Sequence, residues 1–100
     1  MRWLRDKDDN EFILYDETWQ HIRMFHPEIT GVEDIETVLQ DPDVIMRSNW
    51  DPDSILYYKR HGHLYRVVVV QIVEKRIKTT LTERRIKEGE IVWLNPKLLG

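Results

Sequence analysis

The side chains of this chain best suited to chemistry near neutral pH are its four histidines, a spread of lysines and arginines, and several hydroxyls. An imidazole with the ordinary pKa of about 6.5 both takes and gives a proton at pH 7, which suits general acid–base work. His21 and His26 lie in one segment with helical periodicity, five residues apart. That spacing sets them about 140° apart around a helix axis. Zinc ligands on a single helix face sit at i and i+4, so the pair does not read as a metal site. His26 precedes Pro27 and falls at the helix end, where the macrodipole favours a protonated ring. A structural role therefore stands beside a chemical one. His61 and His63 flank Gly62 and read as turn residues.

The cations gather in the later part of the sequence. Lys59, Arg60, Arg66, Lys78 and Thr80 come from segments that alternate like paired strands. In the segment 76–82, Arg76, Lys78, Thr80 and Thr82 share one parity, while Ile77, Thr79 and Leu81 share the other. The apolar set is expected to pack on helices and the polar set to leave a cationic face. A solvated sheet face explains such a pattern. So does a phosphate-binding surface, where Arg offers a bidentate fork and Lys a point charge. Tyr57, Tyr58 and Tyr65 lie in the same strands and suit stacking on unpaired bases. Arg47 is a candidate from its charge alone. No Gly-rich phosphate loop, Walker pattern or nucleophile elbow is present. The Asp and Glu pairs sit in turns without a divalent-site spacing, so any enzyme here is expected to need no metal or other cofactor.

The elements that must position these residues are organised around Leu64–Val73. Its core, Val67–Val70, is β-branched throughout and bounded by turn residues, the pattern of a buried strand. His61-Gly62-His63 joins it to a strand over Ser54–Arg60 as a hairpin. Glu74-Lys75 turns it into a strand over Arg76–Thr82. Val44–Ser48 supplies a fourth strand. Upstream, Asp16 is placed to cap a helix from Glu17 to His26, with Trp19, Ile22 and Phe25 towards the core. Thr30-Gly31-Val32-Glu33 has the form of a capping box for a second helix, Val32–Gln40. Glu11–Tyr15 and Glu90–Leu94 are short strand candidates, and residues 1–10 read as a mobile arm or turn. The expected fold is α+β, with two N-terminal helices packed on one face of a four-stranded antiparallel β-meander.

A length of 100 residues suits a single domain, 1–100, with one core. The chain has 41% hydrophobic and 33% charged residues, which argues against disorder. A net charge of −3 lacks the basic excess of a protein that coats duplex nucleic acid. With no cysteine there is no disulfide or thiolate chemistry. No apolar stretch reaches the roughly 20 residues of a bilayer span, and the N-terminus lacks a signal-peptide core, so no membrane partner and a cytoplasmic location are expected.

The order of segments resembles a known family. Trp19-Gln20-His21-Ile22, Phe25-His26-Pro27-Glu28, Val38-Leu39-Gln40-Asp41-Pro42-Asp43, Leu56-Tyr57-Tyr58-Lys59, the valine strand and Ile77-Lys78-Thr79-Thr80 follow one another much as in phage-type members of the Barnase–EndoU–colicin–RelE-like (BECR fold) nucleases. The similarity spans residues 18–94. It implies helices on a four-stranded antiparallel sheet and a metal-independent ribonuclease, toxin-like in many members. It places His26, Lys59, and Thr80 or Thr79 near the active site, with His21 and Arg66 as weaker transfers.

On that basis the expected reaction is endoribonucleolytic transphosphorylation to a 2′,3′-cyclic phosphate. His26 and His21 would handle protons, Lys59 and Arg66 would hold the phosphate, and the Thr80 hydroxyl would donate to a non-bridging oxygen. Arg47, Tyr58, Arg60, Lys78 and Thr79 are the candidate substrate contacts. RNA is the expected partner, alongside a cognate antitoxin or immunity protein. The alternative is a non-catalytic module that binds RNA or protein through the same sheet, or is itself the antitoxin or immunity partner.

Overall fold

The hairpin of β4 (Ser54–His61) and β5 (Leu64–Gln71) is the middle of the sheet, paired in unbroken antiparallel register from Ser54↔Gln71 to His61↔Leu64. A computed structural model of the chain describes all 100 residues. Gly62 closes the turn at φ +66°, a left-handed conformation that costs glycine nothing. β6 (Arg76–Glu83) joins β5 on one side, and β3 (Val44–Ser48) joins β4 on the other, both antiparallel. These four strands follow the segments read from the sequence.

They are, however, only the centre of a seven-stranded mixed sheet of order β1-β2-β6-β5-β4-β3-β7, which corrects the expected four-stranded antiparallel meander. β1 (Arg2–Arg5) and β2 (Glu11–Leu14) form a hairpin ahead of the helices. The helices are therefore not the N-terminal elements, and the expected arm is a strand and its turn. β2 meets β6 in parallel at the single pair Ile13↔Arg76. β7 (Gly89–Leu94) pairs antiparallel with β3. Both additions depend on partners far away in sequence, which local periodicity does not register. Two of the four residues of β1 are arginines, and only Leu4 is buried.

α1 (Asp16–Phe25) and α2 (Val32–Gln40) pack on one face of the sheet. Ile22, Ile35, Val38 and Leu39 meet Tyr57, Val68, Val70 and Ile77 there, each fully buried aliphatic side chain contributing about 2 kcal/mol. Leu4, Phe12 and Leu14 of the N-terminal hairpin complete this core. Phe25, expected in it, is 61% exposed and lies against the ring of His21. The entry to α2 also differs by one residue from the capping box. Asp34, not Glu33, reaches back to accept from the backbone N–H and hydroxyl of Thr30.

The other face is not the solvated cationic surface the alternation implied. Val44, Met46, Tyr58 and Val67 form a second small core there, covered by Ile86. Residues 84–88, which connect β6 to β7, cross this face, and the Tyr58 hydroxyl accepts from the Lys87 N–H. The parity of β6 breaks as well. Thr79 pairs with Val69 but Ile77 with Val70, so Lys78 is the extra residue of a bulge. Ile77 and Thr80 consequently face the helices together, and Leu81 joins the second core.

Candidate active-site groove

β5 and β6 run past the helices at the end where Arg66 pairs with Thr82, and the turn between the helices descends onto them. Nδ1 of His26, the residue ending α1, lies 3.8 Å from Oε2 of Glu28. The same Glu28 oxygen accepts a 2.8 Å hydrogen bond from the Thr82 hydroxyl. Burial opposes ionisation of Glu28. Its own backbone N–H, the Thr82 hydroxyl and the charges of His26 and Arg66 outweigh that and hold its carboxyl below the ordinary range. A groove of about 540 Å³ opens beside it, lined by Glu28, His61, Leu64, Arg66, Thr82, Glu83 and Arg84.

Within the groove Arg66 is anchored. Its Nη1 lies 3.3 Å from Oδ1 of Asp34 in the first turn of α2. The Asp34 carboxyl is held low despite burial, by the Thr30 and Gly31 N–H groups, the Thr30 hydroxyl and the Arg66 charge. Glu83 is paired with Lys87 at 3.3 Å. Arg84 has no carboxylate partner, which leaves it as the uncommitted cation at the rim.

The remaining candidates are dispersed. Lys59 pairs across the strands with Arg66, but its Nζ reaches the other end of α2, donating to the Asp41 carbonyl at 2.8 Å and carboxylate at 2.9 Å. Asp34 and Asp41 are seven residues apart, so the two cationic heads are pulled towards points about 10 Å apart along the helix. They do not grip one phosphate together. Thr80 is 1% exposed and its hydroxyl donates to the Val67 carbonyl at 2.7 Å, so it is spent inside the sheet. Tyr58 is 0% exposed on the far face and offers no ring to a base. Arg60 folds over Tyr65 and donates to the Gly62 carbonyl. Lys78 sits at the bulge with Thr79 beside it, where the bulge sets their neighbours Ile77 and Thr80 on the helix face. His21 is exposed on α1. Arg47 lines a different cleft.

Of the groove's seven lining residues only Arg66 was a sequence candidate; the polar ones that escaped are Glu28, His61, Thr82, Glu83 and Arg84. Glu28 stands in the quoted His-Pro-Glu segment, and Thr82 shares the parity of Thr80, so both left a trace. His61 looked like any turn residue. No group of three or more His, Asp or Glu side chains converges as metal ligands. Nor does any family model, curated protein or solved structure match the chain.

Proposed function

We propose that the groove binds single-stranded RNA and cleaves it by transphosphorylation, as a metal-independent endoribonuclease. The observation that carries this reading is the meeting of His26 and Thr82 on one oxygen of Glu28 beside Arg66. At 3.8 Å the Glu28 carboxylate is within ion-pair reach of the imidazole, and a small approach on binding RNA would make the hydrogen bond that directs a general base. His26 removes the 2′-hydroxyl proton, the 2′ oxygen bonds to phosphorus, and the P–O5′ bond breaks. His61, across the groove, gives a proton to the departing O5′. Arg84 and Arg66 offset the charge that builds on the phosphorane-like oxygens. The order of segments resembling the phage-type BECR nucleases supports the same chemistry.

A second reading has its own support in the ion pairs. Lys59 and Arg66 are committed to carboxylates at opposite ends of α2, Asp41 just past it and Asp34 in its first turn, and Glu28 and Glu83 keep the groove close to neutral. That favours a non-catalytic module recognising RNA or a protein partner. One experiment separates the two: purified protein is incubated with RNA in EDTA and the fragment ends are analysed. Fragments ending in 2′,3′-cyclic phosphate, reduced about 100-fold or more by His26→Ala, support the nuclease. Salt-sensitive RNA binding without fragments, or cutting indifferent to His26, rules it out.

A further inference from the structure

The end of the sheet that holds the groove carries more free positive charge outside the groove than in it. Arg60, Tyr65 and Glu83 pair there as one row across three strands, about 10 Å wide. Arg60 and His61 are successive residues of β4, so their side chains leave by opposite faces. His61 lines the groove on the helix side, while Arg60 lies over Tyr65 on the other face, where Tyr65 borders the second core. The chain after β6 runs from one face to the other. Arg84 lines the groove and Ile86 packs on the second core, which sets the exposed Arg85 between them, around the end of the sheet.

The acids beside this path are committed. Glu28 holds His26 and Thr82, Glu83 pairs with Lys87, and Asp43 accepts from the Arg60 backbone N–H at 2.7 Å. Glu88 leads into Gly89, which pairs with Ser48 at the opposite end of the sheet. Arg60, Arg84 and Arg85 are exposed and pair with no carboxylate. Arg60 is also held in place. Its guanidinium lies 5.3 Å from the Tyr65 ring centre, and it donates from Nε to the Gly62 carbonyl at 2.7 Å and from Nη1 to the Tyr65 hydroxyl at 3.3 Å. Its remaining N–H groups are thus presented to an anion with little further ordering to be done. We propose that these three arginines hold the sugar–phosphate chain of a single-stranded RNA as it leaves the groove and rounds the end of the sheet. They stand one after another along a path, so each meets a different phosphate, and the ligand is an oligonucleotide of three or more phosphates. This inference rests on the RNA-binding reading above. It accounts for how a near-neutral groove, in a chain of net charge −3, draws in a polyanion: the attraction comes from the rim.

The test uses dye-labelled 2′-fluoro oligouridylates of two lengths, a dinucleotide and an octanucleotide, on the intact chain in EDTA. Lacking the 2′-hydroxyl, they bind without being cut, and fluorescence anisotropy reads their affinity over a series of salt concentrations. The octanucleotide should bind about tenfold or more tightly than the dinucleotide, a comparison that needs no variant. The double variant Arg60→Gln, Arg85→Gln should lower the octanucleotide's log–log salt slope by about 0.7 for each cation removed and leave dinucleotide affinity within about twofold. Equal affinity for the two lengths, or an octanucleotide slope untouched by the double variant, would overturn the rim and leave RNA binding in the groove standing. No binding of either length would overturn both.

Discussion

The Thr82 hydroxyl donates to Glu28, tying the last residues of β6 to the segment between the two helices across 54 residues of chain. Glu28 is thereby fixed from the sheet side while His26 approaches from the helix side. In the proposed nuclease Thr82 is a positioning residue, acting on the imidazole through the carboxylate. Thr82→Val should lower RNA cleavage about tenfold, the worth of one hydrogen bond of about 1.4 kcal/mol in the transition state. It should also shift the pH–rate profile, because Glu28 loses a group that favours its ionised form. Thr82→Ser should restore both. An unaltered profile in the valine variant would remove Thr82 from the site.

Asp6 is nearly fully buried, yet it accepts from the Tyr57 hydroxyl at 2.6 Å, from the Asp8 and Asn10 N–H groups and from the Asn10 amide. Burial opposes its ionisation, and these donors more than offset that, so its carboxyl is held below the ordinary range. The unfolded chain then binds the proton more readily than the folded one, and stability rises with pH. The contribution is complete above about pH 5 and is lost as pH falls from about 4 through the folded value. Asp6→Asn should flatten this acid limb, and Tyr57→Phe should cost about 2 kcal/mol at pH 7. Urea titrations between pH 3 and pH 7 measure both.

Thr80 has its hydroxyl on the Val67 carbonyl inside the sheet. Replacing it by the isosteric Val keeps the volume and removes the donor. Thr80→Val should therefore destabilise the fold by about 1 kcal/mol, and Thr80→Ser should keep that hydrogen bond. Equal denaturation midpoints for Thr80→Val and wild type would contradict this.

Gly89 begins β7 where a Cβ would stand 2.5 Å from the Arg47 carbonyl oxygen, a backbone atom that cannot swing away. Gly89→Ala must push β7 off β3 and should cost about 1–3 kcal/mol. Gly62 has nothing within 4 Å of its would-be Cβ, so Gly62→Ala meets only the strain of φ +66°, about 1 kcal/mol. Hydrogen exchange should show the β3–β7 ladder opening in the first variant and staying protected in the second.

By itself the sequence determined the local elements. β-branched Val67–Val70 make a strand, Gly62 makes the hairpin, and the spacing of Ile35, Val38 and Leu39 makes one face of α2, because each is a property of residues within a few positions of one another. His26 was likewise visible as a helix-end imidazole. Tertiary structure alone decided what pairs across the chain. β1–β2 hooks onto β6 at one residue, and residues 84–88 cross a whole sheet face to bring β7 beside β3. The bulge at Lys78 exchanges the faces of β6, and an extra residue in a ladder has no signature in a period-two pattern. Ion pairing did the rest: α2 draws Lys59 and Arg66 towards Asp41 and Asp34, so strand neighbours part company. Glu28, His61, Thr82 and Arg84 meet only because helix turn, hairpin and strand end arrive at one place, and that meeting is a matter of packing, not of spacing.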